Sequence, residues 1–305
     1  MPLTRRTFVT LAGAAALPLP RLALAEMTLG DATLTTVSDG HLTLPPDFVF
    51  GPMPQGDLQP ILRKHGIADG PLTPDCNLTL YRDGTNTVLF DAGAGSHFMP
   101  TAGQLMASLD TAGVAPEDVT HVIFTHGHPD HLWGVLDDFD DPLFANAAHL
   151  MGREEWDYWW NPDLADSIGA DRAAFAVGAR RRMEAIEEVT DFFDDGDEVL
   201  PGIHAVLTPG HTPGHMSFDL TRGGQSVFVS GDAISNHHVA FARPDWASGS
   251  DQDMAQAAQT RVALMDRLAD GDTVLFGFHL PQGGIGRVER NGDGSGAYRF
   301  VPDAG

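Results

Sequence analysis

Hydrophobic positions along the chain fall into short apolar runs, often β-branched, separated by longer stretches with helical spacing. Leu34 to Val37 and Leu42 to Leu44 read as short strands, followed by an irregular stretch around Pro45, Pro46, Pro52 and Pro54. Asn77 to Tyr81 and Thr87 to Phe90 form a hairpin-like pair turned by Asp83-Gly84. Gln104 to Ala112 has helical spacing and stops at Gly113. Val119 to Phe124 is a run of buried-strand type. Arg153 to Trp160 and Arg172 to Val189 read as helices, and Ala255 to Ala269 as an amphipathic one. Ile203 to Leu207, His215 to Leu220, Ser226 to Ser230 and Thr273 to Phe278 read as strands. The alternation lacks a period, a low-complexity segment or a Gly-rich phosphate loop. It predicts one layered α/β domain over residues 26–305.

The first 25 residues break this pattern. Thr4-Arg5-Arg6-Thr7-Phe8-Val9 is followed by an apolar run from Leu11 to Leu19, then by Ala23-Leu24-Ala25. A basic start, a short apolar middle and a small-x-small end predict a cleaved signal peptide, residues 1–25. The paired arginines resemble the twin-arginine address for export in the folded state, which predicts a periplasmic or secreted bacterial protein. The run is too short to span a bilayer and contains Pro18, and no later stretch reaches spanning length without charges. No stable membrane insertion is expected after processing.

A hydrophobic share of 42 % is enough for a sizeable core. The 18 Lys+Arg against 42 Asp+Glu give a net charge of -24, which repels phosphate backbones and excludes nucleic acid as a partner class. The lone Cys76 excludes a disulfide framework and a Cys-rich zinc module; ahead of an apolar strand it reads as buried and inert. The 14 histidines matter through their grouping.

Thr125-His126-Gly127-His128-Pro129-Asp130-His131 places three imidazoles and a carboxylate within six residues, directly after a strand. Imidazole suits Zn, Fe, Mn and Co, and a carboxylate adds a hard ligand. Three other strand ends carry candidates. Thr208-Pro209-Gly210-His211-Thr212-Pro213-Gly214-His215 is a tight loop presenting an imidazole, Ser230-Gly231-Asp232 offers a carboxylate, and Phe278-His279-Leu280-Pro281 a late imidazole. Together they supply five His and two Asp, enough for two metal ions.

This order, H-x-H-x-D-H, then G-H-T-P-G-H, then G-D, then a late His, resembles the metallo-β-lactamase superfamily from about residue 30 onward. The resemblance implies a four-layer αββα sandwich with a dinuclear site at one edge. It implies that His126, His128 and His211 hold one metal, that Asp130, His131 and His279 hold the other, and that Asp232 bridges them. Asp91, in Phe90-Asp91-Ala92-Gly93, would support the ligands without being one, and His215 would be structural or in the same supporting role. Within the superfamily the chain looks like the methyl parathion hydrolase group. The supporting stretches are Val37-Ser38-Asp39-Gly40, Phe98-Met99-Pro100-Thr101-Ala102-Gly103, and the tail from Phe278 through Gly284-Ile285-Gly286 to Tyr298-Arg299-Phe300-Val301-Pro302.

The implied activity is metal-dependent hydrolysis of a phosphotriester, lactone or carboxylic ester by a hydroxide shared between two divalent ions. Zinc is the expected metal, with manganese, iron and cobalt as alternatives. Asp232 would orient the hydroxide, and Asp130 is either a ligand alone or also relays a proton. The partner is a small-molecule substrate, and a homodimer is implied by resemblance. For the substrate pocket the candidates are Phe98, Phe241 and the pair Trp156 and Trp160, which share a helix face and serve either helix packing or an apolar wall. The alternatives are an exported β-lactamase and an iron-dependent redox enzyme of sulfur dioxygenase type on the same fold.

Overall fold

The computed structural model describes residues 25–67, 69–292 and 297–303, so all but the last residue of the expected export signal, residues 1–25, lies outside the described residues. Two seven-stranded sheets face each other. The first holds β1 (Glu26–Leu29), β2 (Ala32–His41), β3 (Asp75–Arg82), β4 (Thr87–Phe90), β5 (His121–Ile123), β6 (Ala148–Gly152) and β7 (Thr190–Phe193), in chain order. The second holds β8 (Glu198–Leu200), β9 (Ile203–Leu207), β10 (Met216–Arg222), β11 (Gln225–Val229), β12 (Val274–Phe276), β13 (Ile285–Arg290) and β14 (Tyr298–Pro302). Pairing is antiparallel from β1 to β4 and parallel from β4 to β7. In the second sheet only β11 and β12 run parallel.

Strand alternation builds the layers, because successive side chains point to opposite faces. Val88 and Phe90 of β4, Ile123 of β5, and Val227 and Val229 of β11 meet between the sheets. Their neighbours point outward. Leu89 and Val122 pack under the helices Leu105–Ala112, Arg153–Trp160 and Ala173–Ile186, while Phe228 and Leu275 pack under Met254–Asp270. The result is helix, sheet, sheet, helix, an αββα sandwich. The helix Leu105–Ala112 ends where Gly113 takes a left-handed φ of 71°, as its sequence predicts.

The proline-punctuated stretch is not irregular. It forms two helices, Pro46–Phe50 and Gln55–Lys64. Pro46 opens the first, where the missing N–H costs nothing. Val49, Phe50, Met53 and Leu58 then close on Val239 and Trp246, making a cap beside the strand ends.

His149 of β6 is buried, stacks on Phe124, and makes no hydrogen bond through either ring nitrogen. Burial pushes its pKa down from 6.5 to about 4. The unfolded chain therefore takes up a proton before the folded one, and stability falls as pH drops through this interval. The loss amounts to about 3 kcal/mol. Replacing His149 by Leu is expected to remove most of that pH dependence, seen as a smaller difference in urea midpoint between pH 7.5 and pH 4.5 in chelator.

Candidate metal centre

The loops that carry chemistry leave the carboxyl ends of β5, β9, β11 and β12, and converge at one edge of the sandwich. After β5 the chain bends at Thr125, and with His128 extended (φ -67°, ψ 158°) the rings of His126 and His128 meet at one point. Pro129 then opens the single helical turn Pro129–Leu132, which swings Asp130 and His131 toward a second point. Gly127 between the first two histidines lies against Trp159, and a Cβ there would stand 2.5 Å from the indole.

Two donor sets result. His126 Nε2 lies 3.0 Å from His128 Nδ1, which lies 2.9 Å from His211 Nε2. In the other set, His279 Nε2 is 3.3 Å from Asp130 Oδ2 and 3.2 Å from Asp232 Oδ2, and His131 Nε2 is 3.3 Å from Asp232 Oδ1. Asp232 Oδ2 is also 3.3 Å from His211 Nε2, so this carboxylate stands between the sets. All seven residues are buried, and within each set the donor atoms lie inside 4.8 Å of one another.

The electrostatics fit cations. Asp130 Oδ2, His131 Nε2 and Asp232 Oδ1 are buried without a hydrogen-bond partner, an expensive arrangement unless something positive satisfies them. Burial and neighbouring imidazoles hold His126 and His128 well below the ordinary histidine range, leaving neutral lone pairs. Burial opposes charge on His131 and His279, but facing carboxylates, Asp232 foremost, raise both well above their ordinary value. Burial likewise opposes ionisation of Asp130 and Asp232, and these same histidines overcome it. A cation binding here displaces protons from this set. Nitrogen and oxygen donors in these numbers suit two divalent ions such as zinc.

The far side of each ligand is also held, which fixes ring orientation and tautomer. Thr125 Oγ1 lies 2.9 Å from His126 Nδ1, Asp91 Oδ2 2.7 Å from His131 Nδ1, Asp251 Oδ1 3.1 Å from His211 Nδ1, and the Asp75 carbonyl 2.7 Å from His279 Nδ1. His128 Nε2 faces the Gln252 amide at 3.4 Å. Arg261, buried in the helix Met254–Asp270, backs Asp251 at 3.3 Å. His215 is not positioned as a ligand. Its Nε2 accepts from the Asp232 N–H at 3.0 Å, and its Nδ1 meets Thr208 Oγ1 at 2.8 Å, so it anchors the Asp232 turn. Burial holds it neutral, pushed down to about 3.

A cavity of about 630 Å³ opens over the donor sets, within the range of small-molecule sites. Its walls are Leu42, Leu44, Phe48, Phe50, Phe98, Met99 and Phe175; Ser235, Asn236, His237 and His238 face it from the second half. Asp39 accepts from the N–H groups of Ala94, Gly103 and Leu105, at 2.8, 3.1 and 2.8 Å. This fixes the loop that brings Phe98 and Met99 to the wall. Trp156, Trp160 and Phe241 do not line the cavity. Trp156 stacks on Trp160 at 5.1 Å and meets Phe192, while Phe241 packs against Phe300 in the outer layer. The helix turns Trp159, not Trp156 or Trp160, toward the site, 5.6 Å from the His128 ring. Sequence reasoning missed Glu155, Asp251, Gln252 and Phe175. None carries a local motif, and only the fold brings them to the loops.

Paired His/Asp donor sets at the strand ends of an αββα sandwich are the architecture of a metal-dependent hydrolase. The sequence model of the metallo-beta-lactamase superfamily matches residues 73–279, and the chain belongs to that superfamily. Among solved structures it is similar to the hydrolase AbOPH of the beta lactamase superfamily (28% identity, TM-score 0.83, 92% of this chain and 97% of that one). It is also similar to AidC, a dizinc quorum-quenching lactonase solved with a homoserine product (25% identity, TM-score 0.85, 92% and 98%). Among curated relatives, an uncharacterized protein of Mycobacterium tuberculosis is 29% identical over 70% of this chain and 88% of its own length. The N-acyl homoserine lactonase AttM of Azorhizobium caulinodans is 33% identical over 37% of this chain and 40% of its own length.

Proposed function

We propose that this chain hydrolyses neutral ester-type bonds, with lactones bearing an apolar acyl chain as the leading substrates. Phosphotriesters and carboxylic esters lie within the same chemistry. The observation that carries this reading is the largely apolar cavity of about 630 Å³ closing over the two donor sets. Two divalent ions, zinc foremost, supply Lewis acidity and an activated water. The protein's own groups do the rest. Leu42, Leu44, Phe48 and Phe98 take the apolar part of the substrate and exclude bulk water. Ionised Asp130 and Asp232 fix charge at the base of the cavity, which Ser235 and Asn236 also line.

Charge separates the readings. Arg172 is the one Lys or Arg among the described lining residues, and its Nη2 donates to the carbonyls of Gly249 and Ser250 at 2.9 and 3.0 Å. Asp69 and Asp75 also line the cavity. Beyond the ions themselves an anionic β-lactam therefore finds little to pair with, whereas a neutral lactone or triester needs no counter-charge. Both donor sets are complete, which favours a dinuclear hydrolase over a mononuclear iron redox enzyme. Lactonase relatives favour lactones; the sequence resemblance to the methyl parathion hydrolase group, carried by its motifs alone, keeps phosphotriesters in view. The same proposal includes twin-arginine export to the periplasm or beyond, one functional domain over residues 26–305, and a homodimer. No helix among the described residues is long and apolar enough to cross a membrane.

The test is a panel of acyl lactones of increasing chain length, aryl esters, phosphotriesters and β-lactams, run on metal-analysed protein. Lactone turnover is expected to rise with chain length, vanish on chelation and return with zinc. A chain carrying two ions that turns over none of the panel sinks the proposal.

A further inference from the structure

The three-histidine set is assembled from loops of different sheets. His126 and His128 follow β5 of the first sheet, and His211 follows β9 of the second. One side chain touches both loops. Glu155, on the helix Arg153–Trp160, is fully buried. Its Oε1 accepts from the Gly127 N–H at 2.9 Å and the Trp159 indole N–H at 2.6 Å. Its Oε2 accepts from the Thr212 hydroxyl at 2.7 Å and the Gly214 N–H at 3.0 Å. The fit leaves no slack, since a Cβ on Gly214 would stand 2.2 Å from the Glu155 nitrogen.

We propose that Glu155 is the positioning residue of the three-histidine set, fastening its two loops to a single carboxylate. The inference rests on reading the donor sets as metal sites. Gly127 lies between His126 and His128, and Thr212 directly follows His211, so three of the four hydrogen bonds hold the chain beside the three rings, while the fourth, from Trp159, ties the carboxylate to its own helix. None of these bonds reaches Asp130, His131, Asp232 or His279. The effect of Glu155 therefore falls first on the three-histidine set and reaches the other only through the shared loop to His131 and through His215 beside Gly214. A general packing role would disturb both sets and the fold alike. A carboxylate is required because each oxygen receives at least one N–H that cannot accept in return. In Glu155→Gln the amide NH2, in either orientation, faces a backbone or indole N–H.

The test is cobalt titration of the full chain, followed by visible absorption and chelator competition. His126→Ala serves to assign the step that belongs to the three-histidine set. Glu155→Gln is expected to weaken that step by about 10–100-fold, the usual cost of an outer-shell partner, and to leave the other step in place. Thr212→Val removes one of the four donors and is expected to weaken the same step less, while Thr212→Ser restores it. The Thr212 pair carries the test if Glu155→Gln does not fold. Equal weakening of both steps, or none, overturns the proposal. Wild-type protein that takes up no cobalt overturns the metal reading instead.

Discussion

Replacing Asp232 by alanine is expected to abolish hydrolysis and to cost the protein at least one bound ion. Asp232 is the one residue whose carboxylate approaches both donor sets, at 3.3 Å from His211, 3.2 Å from His279 and 3.3 Å from His131. Its Oδ1 is buried without a hydrogen bond and faces His131 Nε2, so what alanine forfeits is the carboxylate's charge toward the donor sets. The loss should exceed the roughly 100-fold that removal of an outer-shell partner causes. The turn itself is held by the Asp232 N–H to His215, which alanine keeps, so the variant is expected to fold. His126→Ala should behave similarly through the other set. Metal analysis and turnover measured on the same samples check both. Two ions and full activity retained would refute the ligand assignment.

Asp91→Asn tests the layer behind the ligands. Asp91 sits at a left-handed φ of 67°, which asparagine tolerates well, so the backbone is spared. Its Oδ1 accepts from the Thr125 N–H at 2.7 Å, and its Oδ2 meets His131 Nδ1 at 2.7 Å. The carboxylate can take a proton-bearing Nδ1 and leave Nε2 facing Asp130 and Asp232. An asparagine that keeps its oxygen on Thr125 turns an NH2 toward His131 and reverses that preference. Zinc affinity at the Asp130, His131, Asp232, His279 set is expected to fall by about 10–100-fold with little change in unfolding temperature of the metal-free protein. Zinc competition with a chromophoric chelator reads the affinity. Unchanged affinity would show that the Asp91–His131 contact does not set the tautomer.

The motif after β5 was legible because its side chains are rare at that density and follow an unambiguous strand. The same holds for His211, Asp232 and His279, each one turn past an apolar run. What surrounds them was not legible. Trp156, Trp159 and Trp160 crowd one helix, and periodicity tells which share a face but not which face meets the His126 loop. Glu155 looks like a surface acid in Arg153-Glu154-Glu155, and only the approach of two glycine loops buries it. The strands missed are the short or half-polar ones. β1, β7, β8 and β14 are sheet edges, β6 contains His149, and β13 reads Ile-Gly-Arg-Val-Glu-Arg; pairing, not composition, defines them. The Pro46–Lys64 cap escapes a local reading because a proline at a helix start looks the same in sequence as one that breaks regular structure.

Each donor set draws members from both sheets: His126 and His128 against His211, Asp130 and His131 against Asp232 and His279. An ion seated in either is thus a rivet through the seam of the sandwich, joining segments far apart in the chain. Its binding energy is spent on holding the halves together as well as on chemistry. Scarcity of metal would then show first as a loosened seam, with each sheet still intact.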